Sequence, residues 1–159
     1  MSVRITGGCQ CGAVRYALSE APTEPSVCYC RMCQKAFGSY FAPLGGVPTG
    51  AFIVTRGSLA VFKSSDQAER GFCRDCGTPL TFRYVERPRI SVSLGSLDHP
   101  EGVLPKSQYG IEGRFSFFSS LTGLPTEQDE PELARRIAAS NHQHPDHDTD
   151  VWPTKGRKP

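Results

Sequence analysis

The sequence predicts a mainly β domain built of antiparallel sheets, on three observations. Short segments alternate apolar with polar residues, Gly, Pro, Ser or Asp punctuates them about every ten residues, and the totals of Gly 16 and Pro 13 in 159 residues imply many turns. In chain order the strand-like segments are AVRYAL at 13–18, YFAPLGGV at 40–47, AFIVTRG at 51–57, LAVFKS at 59–64, LTFRYV at 80–85 and RISVSLG at 89–95. Two stretches favour helix. CRMCQKAF at 30–37 has room for a turn or two, and EPELARRIAAS at 130–140 opens on acidic residues and Pro131 and continues in helix formers. From Asn141 onward, NHQHPDHDTDVWPTKGRKP is polar and broken by proline, which predicts an irregular or mobile tail.

Length and charge narrow the function. A chain of 159 residues suits one compact domain, and a net charge of +2 with dispersed Lys and Arg is too mild for a nucleic-acid surface; the short terminal KGRKP reads as a solvated end. The beginning, MSVRITGGCQ, has no apolar signal core, and no run approaches the roughly 18 apolar residues of a membrane span. A cytoplasmic protein without membrane or nucleic-acid partners is therefore expected. In that reducing compartment seven cysteines point to metal or redox chemistry before disulfides, and an odd number cannot pair off.

The cysteines fall in three groups: Cys9 and Cys11 in GGCQCGAVRY, Cys28, Cys30 and Cys33 in CYCRMCQKAFGS, and Cys73 and Cys76 in FCRDCGTPL. Pairs spaced C-x-C or C-x-x-C supply two sulfurs each to a tetrahedral zinc, with Gly7, Gly8, Gly12 and Gly77 giving the turns backbone freedom. Cys9, Cys11, Cys73 and Cys76 are accordingly assigned to one closed structural site. Cys28, Cys30 and Cys33 remain, and three ligands with a fourth position for water or substrate is the pattern of a catalytic zinc. Three thiolates would make that ion a weak Lewis acid suited to holding a soft sulfur ligand. Spacing alone leaves other assignments open for the triplet: a structural site completed by a histidine or carboxylate, a redox-active thiol group, free thiols around a turn, or a different partition of the seven. His142, His144 and His147 look like a metal tract but sit in the expected tail, where a solvated loop is the simpler reading, and His99 before Pro100 reads as a turn residue.

Together GGCQCGAVRY, CYCRMCQKAFGS and FCRDCGTPL resemble the glutathione-dependent formaldehyde-activating enzymes, the Gfa or CENP-V/GFA domain family, from about Gly7 to Pro125. The resemblance implies an Mss4-like zinc-containing fold of antiparallel sheets, so the expected domain spans residues 1–125, and the helix and tail read from the residues make up 126–159. It implies two zinc ions per chain, a structural one on Cys9, Cys11, Cys73 and Cys76 and a catalytic one on Cys28, Cys30 and Cys33. The activity it implies is that of a carbon-sulfur lyase joining glutathione and formaldehyde. Tyr29 stands where many members have histidine, and Phe117 near where tryptophan is common; both changes bear on the substrate. Tyr29, Lys35 and Arg114 are candidates for placing the carboxylates of a glutathione-like thiol or moving a proton. The rival expectation is a non-catalytic, zinc-stabilised binding module.

Overall fold

The computed structural model describes residues 4–151; the terminal KGRKP lies outside them. Among the described residues, ten strands form two sheets. The smaller has the order β1 (Ile5–Gly8), β2 (Arg15–Leu18), β5 (Phe52–Arg56). The larger contains β3 (Thr23–Cys28), β4 (Ala42–Pro48), β6 (Ala60–Ser65), β7 (Ala68–Phe72), β8 (Pro79–Tyr84), β9 (Arg89–Ser93) and β10 (Ser107–Tyr109). Its order is β10-β3-β4-β9-β8-β7-β6. Helix α1 (Arg31–Phe37) follows β3 directly, and α2 (Pro131–Ser140) is the short C-terminal helix. The expected mainly β, antiparallel architecture is present, with one exception: β10 runs parallel to β3, pairing Tyr109 with Cys28.

All six strand-like segments and both helical stretches are realised, and four strands were not foreseen. Each has a local reason. β1 reads ITGG, and its glycines are required by packing, because a Cβ on Gly7 would lie 2.6 Å from the Tyr16 ring. β3 contains Pro25 and bulges between Thr23 and Ser26, with Glu24 at φ 50. β7 reads AERGF, in which a buried arginine conceals the alternation, and β10 has only three residues.

The main core gathers Val14, Tyr16, Leu18, Val47, Leu80 and Val92 from both sheets, together with Cys9 and Cys73. A smaller core of Cys33, Ala42 and Leu44 lies apart from it, flanked by Cys28, Cys30, Phe37 and Phe82. On β2 the outward turn of the pleat is occupied by Arg15, which is buried and makes a two-pronged ion pair with buried Asp98, at 2.7 and 2.6 Å. Burial pushes the Asp98 carboxyl up, but hydrogen bonds from Arg15 and Thr6 outweigh it and hold the group below the usual carboxylate range.

The segment after α2 is irregular, as expected, but it is not solvated throughout. His144 is 4% exposed and its backbone N–H donates to the Gln10 carbonyl at 2.7 Å. Asp148 reaches Arg15 at 2.9 Å and Arg4 at 3.1 Å, and Arg56 donates to the Thr149 hydroxyl. Residues 141–151 thus form a strap across the small sheet. The solvated-loop reading fails at His144 because two β-strand arginines, Arg15 and Arg56, supply fixed donors that a composition-based reading cannot place.

The His144 ring is held in its neutral form. Its Nδ1 is 2.6 Å from the Pro145 carbonyl, so Nδ1 carries the proton, and Nε2 accepts from Arg56 at 3.2 Å and Thr149 at 3.1 Å. Burial, then the charges of Arg15 and Arg56, lower the imidazole pKa against the opposing pull of the Pro145 carbonyl and Asp98. A pKa lowered by folding gives a contribution that is full above the unfolded value of about 6.5 and is lost as pH falls through the lower folded value. Proteolytic cleavage within 141–151 is therefore expected to accelerate as pH falls below the free imidazole value of about 6.5, and His144→Gln should flatten that dependence. In urea unfolding, Asp98→Ala is expected to cost about 3 kcal/mol by leaving buried Arg15 only the half-exposed Asp148, whereas Asp148→Ala should cost less than about 1 kcal/mol.

Candidate metal centres

Cys9 and Cys11 occupy the turn between β1 and β2, and Cys73 and Cys76 the turn between β7 and β8. The two turns are built alike. In each, the first cysteine donates its N–H to a carbonyl five residues on (Val14 at 2.9 Å, Thr78 at 3.0 Å), and a left-handed glycine, Gly12 at φ 77 or Gly77 at φ 75, donates back to that cysteine's carbonyl. The Gln10 N–H donates to Thr78 Oγ1 at 3.1 Å and fastens one turn to the other.

All four sulfurs lie within 4.8 Å of one another, with Cys9–Cys11 at 3.6 Å and Cys11–Cys73 at 3.8 Å. These separations are far beyond a disulfide bond. They match the edge of about 3.8 Å that four sulfurs at 2.3 Å from a tetrahedral zinc would form.

The electrostatics agree with a cation-binding role. Burial pushes the Cys9 thiol far up and Cys11 up as well. At Cys76 burial also acts upward, but the Thr78 hydroxyl at 3.1 Å and nearby backbone N–H groups bring the thiol down to about 6. A set that cannot shed all its protons unaided, yet has one thiol poised as thiolate, fits a divalent ion that displaces the remaining protons.

The second set forms where β3 passes into α1. Cys28 ends β3, Cys30 is the N-cap of α1 and Cys33 lies in its first turn; the three sulfurs are within 4.8 Å of one another. Cys33 is buried while Cys28 and Cys30 are partly exposed. Burial pushes Cys28 up to about 12 and raises Cys33, whereas at Cys30 the backbone and neighbouring thiols overcome burial and lower the pKa.

Gln34, buried on the next turn of α1, donates through Nε2 to the Tyr29 and Gly113 carbonyls, both at 2.9 Å, tying the loop after β10 to the cysteine knuckle. On the sheet side, Arg70 of β7 donates from Nη2 to Cys33 Sγ at 3.4 Å, and its buried Nε and Nη1 have no hydrogen-bond partner. A buried guanidinium whose one partner is sulfur fits a cluster that carries negative charge, as metal-bound thiolates do.

The structure brings Tyr29 and Arg114 together and sets Lys35 elsewhere. Tyr29 is buried among Phe41 and Phe118, with the Arg114 guanidinium 5.8 Å from its ring centre. Arg114 also donates to Gln108 at 3.2 Å. Lys35 lines an open cleft of about 620 Å³ with Arg31, Gln34, Ser39, Tyr40 and Phe115. Phe117 stacks on Phe115 at 5.3 Å and meets Tyr40 edge-on, so it backs the cleft wall. Arg70 and Gln34 escaped the sequence reading because a lone arginine or glutamine reads as surface; the signal available was only the short spacing of Gln34 from Cys33. His99 is an exposed turn residue near Glu101. Neither it nor the 142–147 histidines joins a cysteine cluster.

A family model described as glutathione-dependent formaldehyde-activating enzyme matches residues 4–111. That span takes in all seven cysteines and Arg70 and ends before Arg114, α2 and the strap. A relative from Emericella nidulans is 31% identical over 120 residues, covering 72% of this chain and 60% of its own. One from Phaeosphaeria nodorum is 35% identical over 79 residues, covering 48% of this chain and 42% of its own. Both are provisionally named glutathione-dependent formaldehyde-activating enzymes, and the chain spans less than two thirds of the length of either. The crystal structure of a Rhodobacter sphaeroides protein superposes with a TM-score of 0.51 at 25% identity, covering 65% of this chain and 98% of that one.

Metal analysis is expected to find two equivalents in the native protein and one in Cys30→Ser with the fold retained. Cys73→Ser should leave little soluble protein, because binding and folding are coupled at a closed site.

Proposed function

The chain belongs to the glutathione-dependent formaldehyde-activating enzyme family, and from that membership we propose that it is a cytoplasmic, zinc-dependent carbon-sulfur lyase acting on thiol adducts of small aldehydes. The reaction is the reversible joining of a thiol and an aldehyde: the S–H bond breaks, a carbon-sulfur bond forms, and the proton passes to the aldehyde oxygen. No oxidant or reductant is needed. Glutathione with formaldehyde is the pair the family name suggests.

The observation that carries this reading is the contrast between the two cysteine sets. Four sulfurs from two matching turns make up a full tetrahedral set against the main core, whereas the second set gathers three sulfurs at a separate minor core, one ligand short of a tetrahedron. Cys9, Cys11, Cys73 and Cys76 would hold a structural zinc, and Cys28, Cys30 and Cys33 a catalytic one. Bound at the triplet, zinc supplies a position at which a thiol is taken up as thiolate.

The rest of the work falls to the chain's own groups. α1 carries Cys33, with Cys30 at its cap, and through Arg31 and Lys35 offers two cations to a neighbouring cleft whose lining includes neither an acidic residue nor a cysteine. That lining suits the carboxylates of a peptide-like thiol. Tyr29, buried with Arg114 against its ring, backs the knuckle on the side of β10 and holds its shape. Gln34 keeps the β10 loop in place against that wall.

The test is a titration of the cobalt-substituted protein. Glutathione and its hydroxymethyl adduct are expected to shift the visible ligand-field bands of the native protein and to leave those of Cys30→Ser unchanged. Bands in the native protein that ignore both ligands would remove the lyase assignment.

A further inference from the structure

Arg70 and Arg15 are both buried arginines of the sheets, and their surroundings differ sharply. Arg15 has two carboxylates, Asp98 and Asp148. Among the described residues Arg70, 7% exposed, donates to no carboxylate: Nη2 donates to Cys33 Sγ at 3.4 Å, and Nε and Nη1 are buried without partners. Its neighbour Glu69 points to the other face of β7 and pairs with Arg83 at 2.7 Å. The guanidinium is also fixed in place, since its carbon lies 4.9 Å from the ring centre of Phe82, its cross-strand partner on β8. A buried cation persists only where an opposite charge answers it, and the sulfur triplet is what this one faces.

The charges can be counted. Three thiolates and one divalent ion sum to one negative charge, which the single positive charge of Arg70 cancels. A neutral fourth ligand gains nothing from that cancellation. An anionic one does, because it then joins a neutral assembly rather than one already negative.

We propose that Arg70 is a positioning residue for an anionic sulfur ligand: from behind Cys33 it neutralises the three-sulfur centre and so selects a thiolate over a neutral donor at the fourth position. This rests on the reading of the triplet as an open metal site, and it adds the device by which that site prefers its substrate class.

The experiment uses the full chain loaded with cobalt and two probes, 2-mercaptoethanol, which is charged only at sulfur when it binds as thiolate, and neutral imidazole. In R70Q the dissociation constant for the thiol should rise about tenfold or more, as loss of one unit charge a few ångströms away in a partly buried site requires. The imidazole constant should stay within about twofold, and R70K should restore most of the thiol affinity.

A structural role alone would weaken both probes together. Parallel losses, an R70Q protein that binds thiol like the native one, or an R70K protein no better than R70Q would each overturn the proposal. Should R70Q fail to retain cobalt at the triplet, retention by R70K supports the proposal and loss from both overturns it. A native protein that takes up no second cobalt, or binds neither probe, defeats the open-site reading and this inference with it. Native thiol binding that R70Q reproduces defeats the inference alone.

Discussion

The convergence of four sulfurs from two turns is the constraint on which the rest of the molecule depends. Cys11 and Cys73 approach within 3.8 Å across a separation of 62 residues, and the turns that carry them belong to different sheets. Cys9 and Cys73 are also members of the main core, so the sulfur cluster and the packed interior meet at that end. Closing so long a loop costs conformational entropy that grows slowly with its length, so one strong bond set placed there repays the whole loop at once. The hydrogen bond from Gln10 to Thr78 and the glycine-bearing turns prearrange the sulfurs, which reduces the part of that cost borne when an ion binds.

Around this anchor the buried charges are distributed by a single rule, that each lies where an opposite charge can answer it. Arg15 finds Asp98, and through Asp148 it also draws the C-terminal strap onto the small sheet. Arg70 finds sulfur. Removing either partner of such a pair strands a charge in a medium that solvates it poorly, so both sites impose a definite arrangement on the chain even where their net contribution to stability is small. The first pair also helps fasten the strap, and the second sets a cation behind the three sulfurs.

How much of this was legible in the sequence follows from what each feature depends on. Cysteine spacing is local, and the four-plus-three grouping emerged from it because a turn of two to four residues fixes where two sulfurs point. Alternation is local too, which is why β2, β4, β5, β6, β8 and β9 were foreseen. β1, β3, β7 and β10 depend on a partner strand instead: Gly7 lies under Tyr16, Pro25 is absorbed by a bulge, and Ser107–Tyr109 pairs only because β3 is already in place. His144, Arg70 and Gln34 carry no signal in isolation, since their roles are set by atoms 37 to 134 residues away in Cys33, Gly113 and Gln10.

Helix α1 has seven residues and ends at Gly38 in the left-handed conformation. Two sulfurs of the triplet belong to its N-terminal turn and cap, and Arg31, Gln34 and Lys35 of the cleft occupy the same two turns. So short a helix has little rigidity of its own, and what fixes its pitch and roll is whatever grips it from below. Two cysteines of the triplet and three side chains of the cleft thus ride on one short helix, so a displacement of that helix moves both together.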